Sequence, residues 1–235
     1  MHVERKNKCT TETCSSVMSL DNQTDFFFFT NHFKNLTRPG IYIDVASNDP
    51  IYYSNTYFFD KCLRWRGICV EANDVYHESL YLKRSCHLVP TCVSSSFNQV
   101  VNFSFHGLQG GILDTNYKFI NSTRFPAQET RSKHCTTMSE IFSRYDYPVI
   151  DYMSLDIEGH ELEILYSIPW EHVRINVISV ETGPRIRTIS SFLQHQGFRN
   201  LRINPPPPEM SSWLIHYMRG ESIFIRNDVI LGHPK

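Results

Sequence analysis

Glycine is scarce in this chain, 10 residues in 235, and none lies between Gly40 and Gly67. That interval holds IYIDVASNDP, residues 41–50, an apolar strand running into a turn of small and polar residues. Loops that cradle a pyrophosphate use glycines at this junction, where backbone must approach phosphate closely. Their lack counts against a dinucleotide loop. An excess of one charge is missing too. The formal net charge of −1 excludes a general electrostatic attraction to nucleic acid or to an anionic membrane surface. No CxxC pair occurs among the seven irregularly spaced cysteines. An odd count argues against a complete disulfide framework and for mostly reduced thiols. Long apolar runs are also lacking. DFFFFTNHF is too short to span a bilayer, and MHVERKNKCTTETCSS at the start has no apolar core of a signal peptide. These features predict a cytoplasmic chain. The sequons at Asn22, Asn35, Asn102 and Asn121 are then best explained as chance matches in a chain rich in Asn, Ser and Thr.

What is present suits one globular core, since 41% of residues are hydrophobic and 20% charged. A loose polar segment is expected over 1–22 and a single domain over 23–235. A helix near 24–36 would bury Phe26 to Phe29 and Phe33 on one face. Strand 41–45 follows, then a helix in SNTYFFDKCLRW capped by Ser54 or Asn55. GICVEA, 67–72, reads as a strand ending at Glu71. The next helix has Asp74 at its start and Lys83 and Arg84 at its end, as the helix dipole prefers. Residues 86–94 read as one more strand, and VVNFSFHG, 100–107, as an exposed one. A long polar loop comes next; such loops are usually functional or disordered. Beyond it lie helix 137–145, the strand VIDYMSLDI at 149–157, a helix, the strand 175–182, and a helix closed by Gly197. FRNLRI and ESIFIRND read as strands flanking NPPPPEMSSW, a stiff extended segment. Strands alternating with helices predict a mainly parallel sheet covered on both faces, with an antiparallel addition at its end.

In such sheets a ligand lies outside the carboxyl ends of the strands. Asp44, Glu71, Asp156 and Glu181 all fall at that edge. Glu71, roughly 20 residues beyond the first turn, has the position that accepts two ribose hydroxyls; a helix-capping or solvated Glu is the alternative. Asp44 would stabilise a cationic ligand group and repel a pyrophosphate, which disfavours a nicotinamide dinucleotide. Asp156, at the end of a hydrophobic strand, suits a base or a metal ligand. With His160 and Glu181 it could build a mixed O/N site for a divalent cation; caps on the following helix are the alternative. Cys62, Cys69 and Cys92 lie in apolar runs and read as core thiols.

Taken together, IYIDVASNDP, SNT, WRGICVEAND and IDYMSLDIEGHELEIL resemble the FkbM family of S-adenosylmethionine-dependent methyltransferases, from about Phe26 to Ile168. The resemblance implies the class I methyltransferase fold: a Rossmann-like α/β three-layer sandwich whose seven-stranded, mainly parallel sheet has an antiparallel last strand. It implies that Asp44 and the turn Ala46, Ser47, Asn48 hold the methionine end of the cofactor, bordered by Ser54, Asn55 and Thr56. Glu71, followed by Ala72, would take the ribose hydroxyls, and Cys92 and Val93 would lie near the adenine. Asp156 would be a base or metal ligand assisted by His160, and Glu181 a second acidic ligand. Ala46 and Pro50 replace the glycines more frequent in the family. The implied activity is O-methylation of a small-molecule hydroxyl, with a sugar or glycan as acceptor and Mg2+ or Mn2+ as an assisting ion. A non-catalytic domain of the same fold that binds the cofactor or acts as a scaffold is the other expectation.

Overall fold

A computed structural model describes residue 33 and residues 36–52, 54–105, 110–113, 129–201 and 221–229. Its main sheet is built from β1 (Ile41–Val45), β2 (Arg66–Val70), β3 (His87–Val89), β8 (Val149–Leu155), β9 (Arg174–Glu181), β10 (Phe198–Asn200) and β11 (Glu221–Arg226). A smaller sheet holds β4 (Cys92–Val93), β5 (Gln99–Ser104), β6 (Gly111–Ile112) and β7 (Thr130–Thr136). The helices are α1 (His77–Lys83), α2 (Met138–Arg144), α3 (Glu161–Ser167) and α4 (Ile186–His195).

The chain is α/β with a seven-stranded mixed sheet in the order β10-β11-β9-β8-β1-β2-β3. The pairs β1–β2, β2–β3, β1–β8 and β8–β9 are parallel, whereas β11 runs against both β9 and β10. The expected mainly parallel sheet therefore holds in part. The continuous apolar strands follow from burial on both faces. Ile43, Ile68, Met153 and Ile178 sit in one cluster, while their chain neighbours Tyr42, Cys69, Tyr152 and Val177 sit in another. Gly67 is required where β2 passes under Tyr42, because a Cβ there would overlap the phenol ring.

Several expectations need correction. The stretch 86–94 is two strands in two sheets, broken around Pro90, which can give no ladder hydrogen bond. The helix read in SNTYFFDKCLRW is only a π-helical turn, Phe58–Cys62, with no side-chain cap. Ser54, one expected cap, instead accepts from Arg84. Arg84 stands at the end of α1 as expected, but it is 2% exposed and donates to Asp60, Ser54, Tyr42 and Thr56. In the smaller sheet β5 falls on the expected strand 100–107 and β4 within 86–94, whereas β6 and β7 went unread because they lie in or beside the predicted loop. The thiols are not reduced: Cys69 is bonded to Cys86 and Cys92 to Cys135. Cys62 is also disulfide-bonded. The odd count misled because it bounds only the number of unpaired cysteines. Phe33 is buried against Phe59 and Trp65, while the rest of the expected helix near 24–36, segment 1–22 and the proline linker lie mostly or wholly outside the described residues. Among the described residues, no helix is long and apolar enough to cross a membrane.

Candidate cofactor cavity and acidic cluster

A cavity of about 270 Å³ opens where β1, β2, β4 and β8 end. Asp44, Ala46, Ser47 and Asn48 form one wall, with Asn55 beside them; Glu71 and Ala72 form the next. Cys92 and Val93 follow, and Asp156 with Glu158 closes the far side. The smaller sheet roofs it with Phe103, Gly110, Gly111 and Ile112.

The glycine-poor turn keeps a glycine-like backbone. Ala46 has φ 68° and Asn48 φ 51°, left-handed values that cost a non-glycine residue roughly 1–2 kcal/mol each. Fixed partners offset this. The Ala46 and Ser47 amides both donate to the Val70 carbonyl, at 2.9 and 3.1 Å. The Asn48 amide donates to Glu71 Oε2 at 2.7 Å, and the Asn73 amide to Glu71 Oε1 at 2.6 Å. The Glu71 carboxylate thus ties the two loops together. Burial pushes its carboxyl up to about 7, although both amide bonds pull the other way. Further along, Asp49 Oδ1 accepts from the amides of Ile51 and Tyr52, which fixes the chain around Pro50.

Beneath this turn lies a buried polar network. Arg84 donates from Nε to Asp60 Oδ2 at 2.6 Å, from Nη1 to Ser54 Oγ at 2.8 Å, and from Nη2 to Thr56 Oγ1 at 2.6 Å. Thr56 Oγ1 in turn donates to Asp44 Oδ2 at 2.5 Å. Ser54 and Thr56, expected at the cofactor, do not line the cavity; they connect its floor to Arg84. Asn55 does line it, and its Nδ2 donates to Ser154 Oγ at 3.1 Å. Burial raises the Asp44 carboxyl above its usual range, with Arg84 and Thr56 opposing.

At the far side, carboxylate oxygens of Asp156, Glu158 and Glu181 lie within 4.8 Å of one another. Burial, and then the neighbouring Glu181, holds the Asp156 carboxyl well above the ordinary carboxylate range. Glu158 is pushed up to about 7 by burial and by Asp156. Glu181 belongs to this cluster but not to the cavity wall. His160 belongs to neither: it sits at the head of α3 and lines an adjoining groove with Ser94, Asn102 and Glu163. The tight DIEGH turn is braced by Glu161, whose Oε1 accepts the Gly159 amide at 2.8 Å. Sequence reasoning did not assign site roles to Glu158, Asn73 or the roof. Glu158 was legible as a second acid two residues beyond Asp156, and the Gly110–Gly111 pair marked a place of close backbone approach.

Comparison with known proteins gives a family match and similar solved structures. The model of the FkbM methyltransferase domain matches residues 44–200. The crystal structure of precorrin-6y C5,15-methyltransferase from Geobacter metallireducens GS-15 is similar at 14% identity and a TM-score of 0.38, covering 83% of this chain and 76% of that one. No curated protein matches. The family match spans well over half the chain and includes every cavity residue described above, and the chain belongs to the FkbM methyltransferase domain family.

Proposed function

We propose that this chain is an S-adenosylmethionine-dependent O-methyltransferase acting on a hydroxyl of a small molecule, with a sugar or glycan as acceptor. Family membership implies the methyl donor. The observation that carries the reading is that one cavity has Glu71 in one wall and Asp156 in another. One cavity would thereby offer both an acid for the ribose and an acid for the acceptor's proton. The sheet order, with β11 antiparallel between β9 and β10, is consistent with the class I methyltransferase arrangement.

The donor supplies an electrophilic methyl group next to a sulfonium. Glu71 would accept the ribose hydroxyls, its carboxylate pre-oriented by the Asn48 and Asn73 amides. Asp44 and the turn Ala46, Ser47, Asn48 would hold the cationic methionine end. Ala72, Cys92 and Val93 would give the base an apolar wall. Asp156 would take the acceptor's hydroxyl proton, because burial and nearby carboxylates raise its basicity towards that of a working base. The cluster's donor set, three carboxylates, also fits a hard divalent cation such as Mg2+ or Mn2+. Asp156, Glu158 and Glu181 would hold it, and it would lower the pKa of a bound hydroxyl. His160 lies outside that donor set. The choice of a sugar rests on the polar stretch 107–134 and the acidic strand ends.

The test is transfer of labelled methyl from S-adenosylmethionine across a panel of mono- and oligosaccharides, with and without chelator. An O-methyl ether is expected, with Asp156→Asn slower by about 100-fold to 10,000-fold. Methylation only of nitrogen, sulfur or carbon acceptors would refute the hydroxyl assignment. Full activity in chelator would remove the cation.

A further inference from the structure

Two observations beyond the proposed methyl transfer belong together. The first is the disulfides. Cys69–Cys86 ties β2 to the residue before β3, and Cys92–Cys135 ties β4 to β7. Their Cα atoms are 5.7 and 4.6 Å apart, within the span a disulfide bridges, and Cys62 is bonded as well. Stable disulfides of this number form in oxidising compartments, whereas cytosolic thiols stay reduced. The cytoplasmic setting expected from the sequence does not suit these bonds.

The second is the sequon Asn102-Phe103-Ser104 on β5. Asn102 is exposed on β5, while Phe103 and Ser104 are 7% and 1% exposed. Asn102 is held in the strand at both sides: it pairs with Ser132 of β7, and its carbonyl accepts the Leu113 amide at 2.7 Å. Its side-chain Oδ1 accepts from Ser132 Oγ at 3.3 Å. A glycosidic bond forms at Nδ2 and leaves that acceptor in place. The Ser104 hydroxyl, in contrast, is buried and finds no hydrogen-bond partner among the described residues. A buried hydroxyl without a partner costs roughly 1–3 kcal/mol, so the fold gains nothing from it. It stands at the second position after Asn102, where a sequon needs a hydroxyl.

We propose that the chain folds in an oxidising compartment of the secretory route and carries an N-linked glycan on Asn102. In the step, Nδ2 of the carboxamide bonds to the anomeric carbon of an oligosaccharide. The bond from that carbon to a lipid diphosphate breaks, the diphosphate leaves, and the amide gives up one proton. In an oxidising compartment the four sequons are no longer idle matches; Asn102 is the acceptor asparagine among the described residues.

The test uses the full-length protein with its own N-terminal region, made in a eukaryotic host. Peptides are analysed by mass spectrometry after peptide N-glycosidase treatment in heavy-oxygen water, and cysteines are alkylated before and after reduction. The expected result is heavy-oxygen incorporation at position 102 and no alkylation of Cys69, Cys86, Cys92 or Cys135 before reduction. Asn102→Gln and Ser104→Ala should each remove one glycan-sized step in electrophoretic mobility, and Ser104→Thr should keep it. Ser104→Ala leaves no bond unmade, so folding failure does not obscure the readout. Unmodified Asn102 in the folded protein, or free thiols at those four cysteines, would overturn the proposal.

Discussion

Replacing Glu71 with Gln probes the cavity and its electrostatics at once. In the empty protein, burial moves the Glu71 carboxyl from an ordinary 4.5 up to about 7. The folded state then holds a proton that the unfolded chain has already released. A group raised in this way stabilises fully below about 4.5, and its contribution is lost as pH rises through about 7. Between those limits stability falls by about 1.4 kcal/mol per pH unit, or roughly 3 kcal/mol in all. The assay is urea unfolding with disulfides intact, for wild type and Glu71→Gln, at several pH values from about 4.5 to 8. Other carboxylates, Asp156 and Glu158 included, are present in both proteins and largely cancel in the difference. The wild type should lose roughly 3 kcal/mol relative to the variant across that range. Saturating S-adenosylmethionine, which needs the ionised carboxylate for its ribose, should flatten the wild-type slope. A difference that stays constant with pH would refute the assignment of Glu71 as a buried, proton-holding acid.

Arg84→Met should cost about 3–5 kcal/mol, because it leaves Asp60 and Asp44 buried without their cation; urea unfolding measures it. Gly67→Ala should lose at least about 1–3 kcal/mol through overlap with the fully buried Tyr42 ring, read as a lower melting temperature. Joint replacement of Cys92 and Cys135 by Ser should remove roughly 2–4 kcal/mol, by the same unfolding measurement under non-reducing conditions.

Much of the main sheet was readable because each of its strands carries a pattern set by burial. β1, β8 and β9 are mostly apolar and buried, and their carboxyl ends can be counted off residue by residue. Asp44, Glu71 and Asp156 therefore fell into one cavity as expected. In the smaller sheet only β4 and β5 were readable. β7, TRSKHCT, is a strand because Gln99 to Ser104 pairs with it and Cys135 is bonded to Cys92; its own composition says loop. The same non-local effect hid the role of Arg84, which looks like a helix-end cation until its partners 24 to 42 residues earlier in the chain are known. The resemblance has Ser54 and Thr56 bordering the turn, and their hydroxyls accept from that arginine. The glycine-poor turn is explained by Glu71: its carboxylate supplies the partner that holds Asn48 in a left-handed conformation.

The central claim is that the cavity binds S-adenosylmethionine with Glu71 on the ribose. Calorimetric titration of the wild type and of Glu71→Ala with S-adenosylmethionine tests it most directly. Saturable one-site binding is predicted for the wild type. Loss of a charged hydrogen-bond acceptor, about 1.5–3 kcal/mol, should weaken it roughly 10- to 100-fold in the variant. No binding by the wild type, or the same affinity in both proteins, would contradict the account.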